Sequence, residues 1–155
     1  MSKIIIADSS CLIGLSKIGK LEILLQIFGR IIIPEAVYNE VVVRGKGRAG
    51  AEEVKNADWN EIQTVQNKLA VKALRLNLGF GESEVIALAS EHKADFIILD
   101  DWKARQTAKE LGLPVIGTVA ILQKAVEKGI IDNLPTILEN LRNVGFRFVV
   151  FVGEK

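Results

Sequence analysis

Apolar residues occur along this chain in two alternating patterns. Short unbroken runs cover 4–7 (Ile-Ile-Ile-Ala), 31–33 (Ile-Ile-Ile) and 96–99 (Phe-Ile-Ile-Leu), with a looser run at 113–116. Runs this short and this rich in β-branched residues predict strands buried on both faces. Between them, apolar positions recur every three or four residues: Leu12, Ile13 and Leu15, then Leu21, Leu24, Leu25 and Phe28, then Val37, Tyr38, Val41 and Val42. That spacing predicts amphipathic helices. Ser9 and Ser10 are placed to cap the first helix, and Gly29 to end the second. Pro34 suits the first turn of the third, with Glu35 at its N-terminus and Glu40 further along. A basic, glycine-rich loop follows at 44–50, then a helix at 51–57 and a weakly alternating stretch at 59–65. An amphipathic helix spans 68–78, and Gly79-Phe80-Gly81-Glu82 opens another through Ala89. Further helices are predicted at 102–111, ending at Gly112, at 119–128, capped by Gly117 and Thr118, and at 134–143; 146–152 reads as a closing strand or tail. Strands alternating with helices give an α/β class, a three-layer α/β/α sandwich around a mainly parallel sheet.

Composition narrows the picture without redirecting it. A chain of 155 residues, 49% hydrophobic and 25% charged, predicts one domain over 1–155 with a single sizeable core. A net charge of +1 excludes a polybasic coat for nucleic acid, though not a local basic patch. One cysteine, Cys11, excludes an internal disulfide and fits a reducing compartment. No run reaches the roughly 18 apolar residues of a membrane span, and no signal peptide precedes Asp8. The expected location is the cytoplasm, with no membrane partner.

Charge placement adds the chemistry. Asp8 follows the first strand, Glu40 lies one turn into the helix after the second, Glu82 opens a helix behind glycines, and Asp100 with Asp101 follows the 96–99 strand. In open parallel sheets the crevice outside the carboxyl ends of the strands is where ligands bind. Carboxylates converging there repel one another unless a cation joins them. An all-oxygen set suits Mg²⁺ or Mn²⁺, with Asp8, Glu82, Asp100 and Asp101 as candidate ligands and Asp8, Glu40, Glu82 and Asp100 as the candidate catalytic set. Such a site can activate water and stabilise the leaving oxygen in phosphodiester hydrolysis. Zinc is disfavoured, since the chain holds one cysteine and one histidine, His92. Taken singly, each acid has a plainer reading: Asp8 or Asp101 as a helix cap, Glu82 and Glu84 as complements of a helix dipole, Glu40 as an exposed helical glutamate. Their joint order on successive βα units favours the shared site. Glu84 lies about 200° round the helix from Glu82, so only one of them faces that crevice, and Glu82 is the choice.

Other residues are weaker candidates. Ser10 can hydrogen-bond a carboxylate or a phosphate as readily as it can cap a helix. Arg105, about one turn into the helix after Asp100, can contact a phosphate or orient an acid; a surface ion pair is the plainer role. Arg44, Lys46 and Arg48 can track an RNA backbone, and Trp102 can stack a base or pack on the sheet edge. Tyr38, Val41, Val42 and the 69–78 helix offer apolar surface to a partner, and Cys11 reads as a core residue.

The segments IIADSSCLIGLSKIGKLEIL, IIIPEAVYNEVV and GFGESEVIALASEHKADFIILDDWKARQTAKELGLPVIGTVAILQKAVEKGII, in this order and over nearly the whole chain, resemble the PIN domain family and its VapC-like branch. The resemblance implies a metal-dependent endoribonuclease, often the toxin of a toxin–antitoxin pair. By it Asp8, Glu40 and Glu82 match the first three family acids and Asp100 or Asp101 fills the variable fourth; Arg105, for its place in LDDWKAR, is kept as a substrate-contacting residue beside Ser10, whose candidacy rests on its nearness to Asp8. The family's usual third acid is Asp, so Glu82 is a departure. The resemblance further implies an RNA substrate, a homodimer and a small antitoxin protein.

Two rival enzymes fit less well. A phosphatase with a DxD nucleophile motif requires an acid where this chain has Ser10, and a phospho-receiver requires an acidic pair that the first strand does not supply. The non-enzymatic alternative is a PIN-like module that binds RNA or protein without cutting.

Overall fold

Ile5, Ile6 and Ala7, the residues of β1 (Ile5–Ala7), are wholly buried and occupy the centre of a five-stranded parallel sheet. The other strands are β2 (Ile31–Pro34), β3 (Asn60–Gln63), β4 (Phe96–Ile98) and β5 (Val115–Ile116), in the order β3-β2-β1-β4-β5. Ile6 pairs with Ile32 on one side and Ile97 on the other. The three central strands are the isoleucine-rich ones, as burial on both faces requires. Polar Asn60-Glu61-Ile62-Gln63 forms the outer strand β3, where one edge meets solvent. The computed structural model describes residues 3–148.

The connecting helices are α1 (Ser9–Lys17), α2 (Glu22–Phe28), α3 (Glu35–Tyr38), α4 (Ala51–Asn56), α5 (Lys68–Leu74), α6 (Phe80–His92), α7 (Trp102–Glu110), α8 (Thr118–Glu127) and α9 (Leu134–Asn143). They flank the sheet in the three-layer α/β/α arrangement expected from the alternating pattern. α6 is the most deeply seated: every residue of 83–89 is buried, so it lacks the polar stripe of a surface helix. Its alanines, Ala87 and Ala89, let it lie close to the sheet and to α3.

The chain lays β2 and β3 on one side of β1, then returns to place β4 on the other. The β1/β4 junction is therefore the topological switch point, and the strands' carboxyl ends open a crevice there. The Asp8 amide donates to the Ile98 carbonyl at 3.2 Å, tying the last residues of the two strands together beneath it.

Three local expectations are corrected. Ser9 and Ser10 are not caps: Asp8 holds the N-cap position of α1, and both serines lie inside the first turn. Pro34 is the last residue of β2 and the N-cap of α3, with extended backbone, rather than a first-turn residue. The third helix does not continue as an α-helix, because Asn39–Val43 form a π-turn that carries Glu40. Such insertions are frequent at functional sites. The predicted apolar partner surface is also redrawn. Val41 belongs to the core, whereas Val43, Leu69, Leu76 and Phe80 are exposed. Of the predicted closing strand, 146–148 are neither helix nor strand, and the remainder lies outside the described residues.

Glu84, buried on α6, accepts a hydrogen bond from the Ala36 amide at 2.8 Å and so serves as a remote cap for α3, whose own N-cap is a proline with no side-chain acceptor. A charge-assisted bond of this kind contributes about 1.5–3 kcal/mol. Glu84→Ala is expected to cost about 2 kcal/mol in chemical denaturation. Glu84→Gln, which retains the acceptor, is expected to cost less than half of that. Equal losses in the two variants would refute the capping role.

Candidate active site

The crevice is a cleft of about 600 Å³. Asp8, Glu40, Glu82, Asp100 and Asp101 all line it, together with Ser9 and Ser10 from α1. Five carboxylates from positions spread between residues 8 and 101 thus meet at one place. Each arrives for a local reason. Asp8 is the first residue beyond β1, and Asp100 and Asp101 leave β4 the same way. Glu40 is turned toward the cleft by the π-turn, and Glu82 sits in the first turn of α6.

Side-chain hydrogen bonds hold these acids apart in defined positions. Ser9 Oγ donates to Glu40 Oε2 at 2.9 Å, linking α1 to the π-turn. Ser10 Oγ donates to Asp100 Oδ2 at 3.3 Å. Asp100 also accepts from the Thr118 amide at 2.8 Å and from Thr118 Oγ1 at 2.7 Å, so one carboxylate anchors the start of α8. Asp101 caps α7 by accepting from the Ala104 amide at 3.0 Å. Glu82 accepts from the Gly79 amide at 3.1 Å, combining a capping bond with a place in the cleft. Gly81 supplies the room in which two acids approach. A Cβ there would stand 3.2 Å from Asp8 Oδ1 and 3.3 Å from Glu40 Oε1.

Asp8 is only 4% exposed. Burial pushes its carboxyl up to about 7, the Ser9 amide offsets part of the rise, and the charges of Glu82, Glu40 and Asp100 add to it. Burial also raises Glu82, again partly offset by a backbone amide, that of Gly79, and reinforced by Asp101 and Glu40. Among the described residues the ion pairs are Arg30–Glu61 and Arg142–Glu139, and neither reaches the cleft. Among the described residues, no basic side chain is ion-paired to these acids.

This donor set is chemically suited to a hard divalent cation, since every side-chain donor is oxygen. Among the described residues, no three such groups already stand at metal-holding distance of one another.

The other sequence candidates fall as follows. Arg105 does not line the cleft. Its Nη1 donates to the Leu99 carbonyl at 2.8 Å and lies beneath Gly117, whose added Cβ would stand 2.9 Å from it and 3.2 Å from Asp100 Oδ1. It braces the turn that carries Asp100. Trp102 stands 71% exposed at the rim. Cys11 is fully buried below the site, where burial pushes its thiol up, away from reactivity. Arg44, Lys46 and Arg48 are exposed on their loop and do not line the cleft. Thr118 contributes more than the cap it resembled, because its bonds to Asp100 span 18 residues. The cleft's cations, Lys17 and Arg147, carried no sequence signal: one lies at a helix end and the other in an irregular tail.

The model of the DUF3368 family, described as a PIN domain, matches residues 4–153. No curated protein matches the chain. Among solved structures, the chain is similar to a PilT N-terminus domain protein from the hyperthermophilic archaeon Sulfolobus solfataricus P2. The two share 23% identity and a TM-score of 0.56, over 80% of this chain and 95% of that one. At that identity the likeness shows a shared fold alone.

Proposed function

The chain belongs to the PIN domain family, a nuclease-type fold, and on that premise we propose that it is a divalent-metal-dependent endoribonuclease acting in the cleft above β1 and β4. The observation that carries this reading is the convergence of Asp8, Glu40, Glu82, Asp100 and Asp101 on one cleft, with no basic side chain ion-paired to them among the described residues. Asp8 and Glu82, with Asp100 or Asp101, would hold Mg²⁺ or Mn²⁺, in part through water. A divalent ion there supplies an acidified water and charge neutralisation for phosphodiester hydrolysis.

The chain's own residues do the positioning. Asp8 presents its carboxylate from the end of the central, fully buried strand of the sheet. Ser9 orients Glu40, and Ser10 with Thr118 orients Asp100. Glu40 would accept a proton from water or complete the negative charge around the cation. Arg105 keeps the Leu99 carbonyl in place behind Asp100. The reading takes 1–155 as one PIN-like unit. By resemblance to VapC-like proteins it extends to the toxin of a toxin–antitoxin pair, with a small antitoxin and a homodimer. The exposed Val43, Leu69, Leu76 and Phe80 give such partners an apolar surface.

The test is incubation of the purified chain with a mixed RNA pool, with Mg²⁺, with Mn²⁺ and with a chelator. Internal cleavage in the metal-containing samples and intact RNA with chelator are expected. Cleavage undiminished by chelator overturns the metal requirement. RNA that is bound but uncut in every sample leaves a non-catalytic binding module.

A further inference from the structure

The cleft is lined not only by the carboxylates but also by the segment that follows α9, from Val144 to Arg147. This segment is seated on α1 rather than loosely draped. Phe146 packs over Gly14, where a Cβ would stand 2.6 Å from Phe146 Cδ2, so only the bare glycine leaves room for the ring. Lys17 Nζ donates to the Val144 carbonyl at 3.3 Å and pins the segment a second time. The effect is to bring Arg147 to the same cleft as Lys17. These two are the basic residues lining the cleft among the described residues, both are exposed, and neither is in an ion pair.

We infer that Lys17 and Arg147 form a cationic wall that binds the phosphates flanking the scissile one in a single-stranded RNA. The inference rests on the ribonuclease reading and specifies its substrate contacts. The acidic floor repels an RNA backbone, and a chain with net charge +1 supplies no general attraction to overcome this. Cations lining the same cleft supply it where it is needed. One wall then takes neighbouring phosphates while the floor receives the reacting one. A single strand is favoured over a duplex because Asp8 is sunk below the surface, 4% exposed, where the regular backbone of a double helix does not reach. Trp102, exposed at the rim of the cleft, offers an unpaired base a stacking face.

The test is fluorescence anisotropy with a labelled, unstructured RNA in Mg²⁺, in an Asp8→Asn background so that the RNA stays whole, across a range of salt. Each contact to a single strand contributes about 0.7 to the slope of log K against log salt. Arg147→Gln and Lys17→Gln are each expected to reduce that slope by about 0.7, and the double variant by about twice as much, with several-fold weaker binding. Lys17→Arg should retain the slope. A wall that only braced the tail would change melting temperature and leave the slope untouched. In the Asp8-containing chain, the same glutamines are expected to raise KM with little change in kcat. An unchanged slope, or no RNA binding at all, overturns the inference. A chain that cuts no RNA but shows the slope change refutes the ribonuclease reading and leaves the wall standing.

Discussion

Asp8→Asn is expected to lower metal-dependent RNA cleavage by on the order of a hundredfold or more while leaving the fold intact. Asparagine has the volume of aspartate and is equally acceptable at an N-cap, so β1, α1 and the Asp8–Ile98 backbone bond have no reason to move. What is lost is the one carboxylate oxygen pair presented from the central strand, and with it most of the site's hold on a cation. The measurement is the initial rate of cleavage of a labelled RNA at saturating Mn²⁺, with circular dichroism and thermal melting on the same preparation. The melting shift on adding metal should shrink in parallel with the rate. Full activity in a folded Asp8→Asn protein would remove Asp8 from the mechanism.

The second large effect concerns stability without metal. Asp8 has its folded pKa raised from 3.8 to about 7, chiefly by burial. The folded state then holds a proton that the unfolded state releases between those values, so stability falls as pH rises. The contribution is fully present below pH 3.8 and has been lost once pH passes about 7. At about 1.4 kcal/mol per pH unit, the change across that window amounts to roughly 4 kcal/mol at most. The raised Glu82 carboxyl acts in the same direction. In chelator, the melting temperature is therefore expected to drop by roughly 10 °C from pH 5 to pH 8. Asp8→Asn should flatten most of that slope and be more stable than the parent at pH 8. Mg²⁺ or Mn²⁺ should restore stability to the parent selectively. A flat parent profile in chelator would show that burial does not raise the Asp8 carboxyl.

The two expectations have one physical origin. A buried carboxylate among other carboxylates is costly when charged, and that cost is what a cation relieves. Loss of activity on Asp8→Asn should therefore coincide with a gain in metal-free stability at neutral pH. This opposite response separates a binding site from a structural cap, since removing a cap lowers stability under all conditions.

Much of this was legible in the chain because it is local. The runs at 4–7, 31–33 and 96–99 marked the three central strands, and the acids just beyond two of them marked the crevice. Capping chemistry set α9 at Leu134–Asn143, the predicted span, with Asn133 accepting from Thr136. Asp101 as the cap of α7 was one of two local readings, and its side chain makes that bond while lining the cleft. Local signals failed where a residue's partner is distant. Ser9 and Ser10 had the signature of caps, yet they bond Glu40 and Asp100, 31 and 90 positions away. Glu84 resembled a complement to its own helix dipole and instead caps α3, 48 positions away. The π-turn under Glu40 has no apolar periodicity to announce it.

By itself, then, the sequence determined the α/β class, the parallel alternation and the acids at strand ends, because each follows from the burial of one element's face and the chemistry at its terminus. Only the tertiary structure decided which hydroxyl serves which carboxylate, that Arg105 stands behind the site, and that Gly14 and Lys17 hold the tail and Arg147 against the cleft. Those are products of packing between segments far apart in the chain, and no local pattern encodes the register in which they meet.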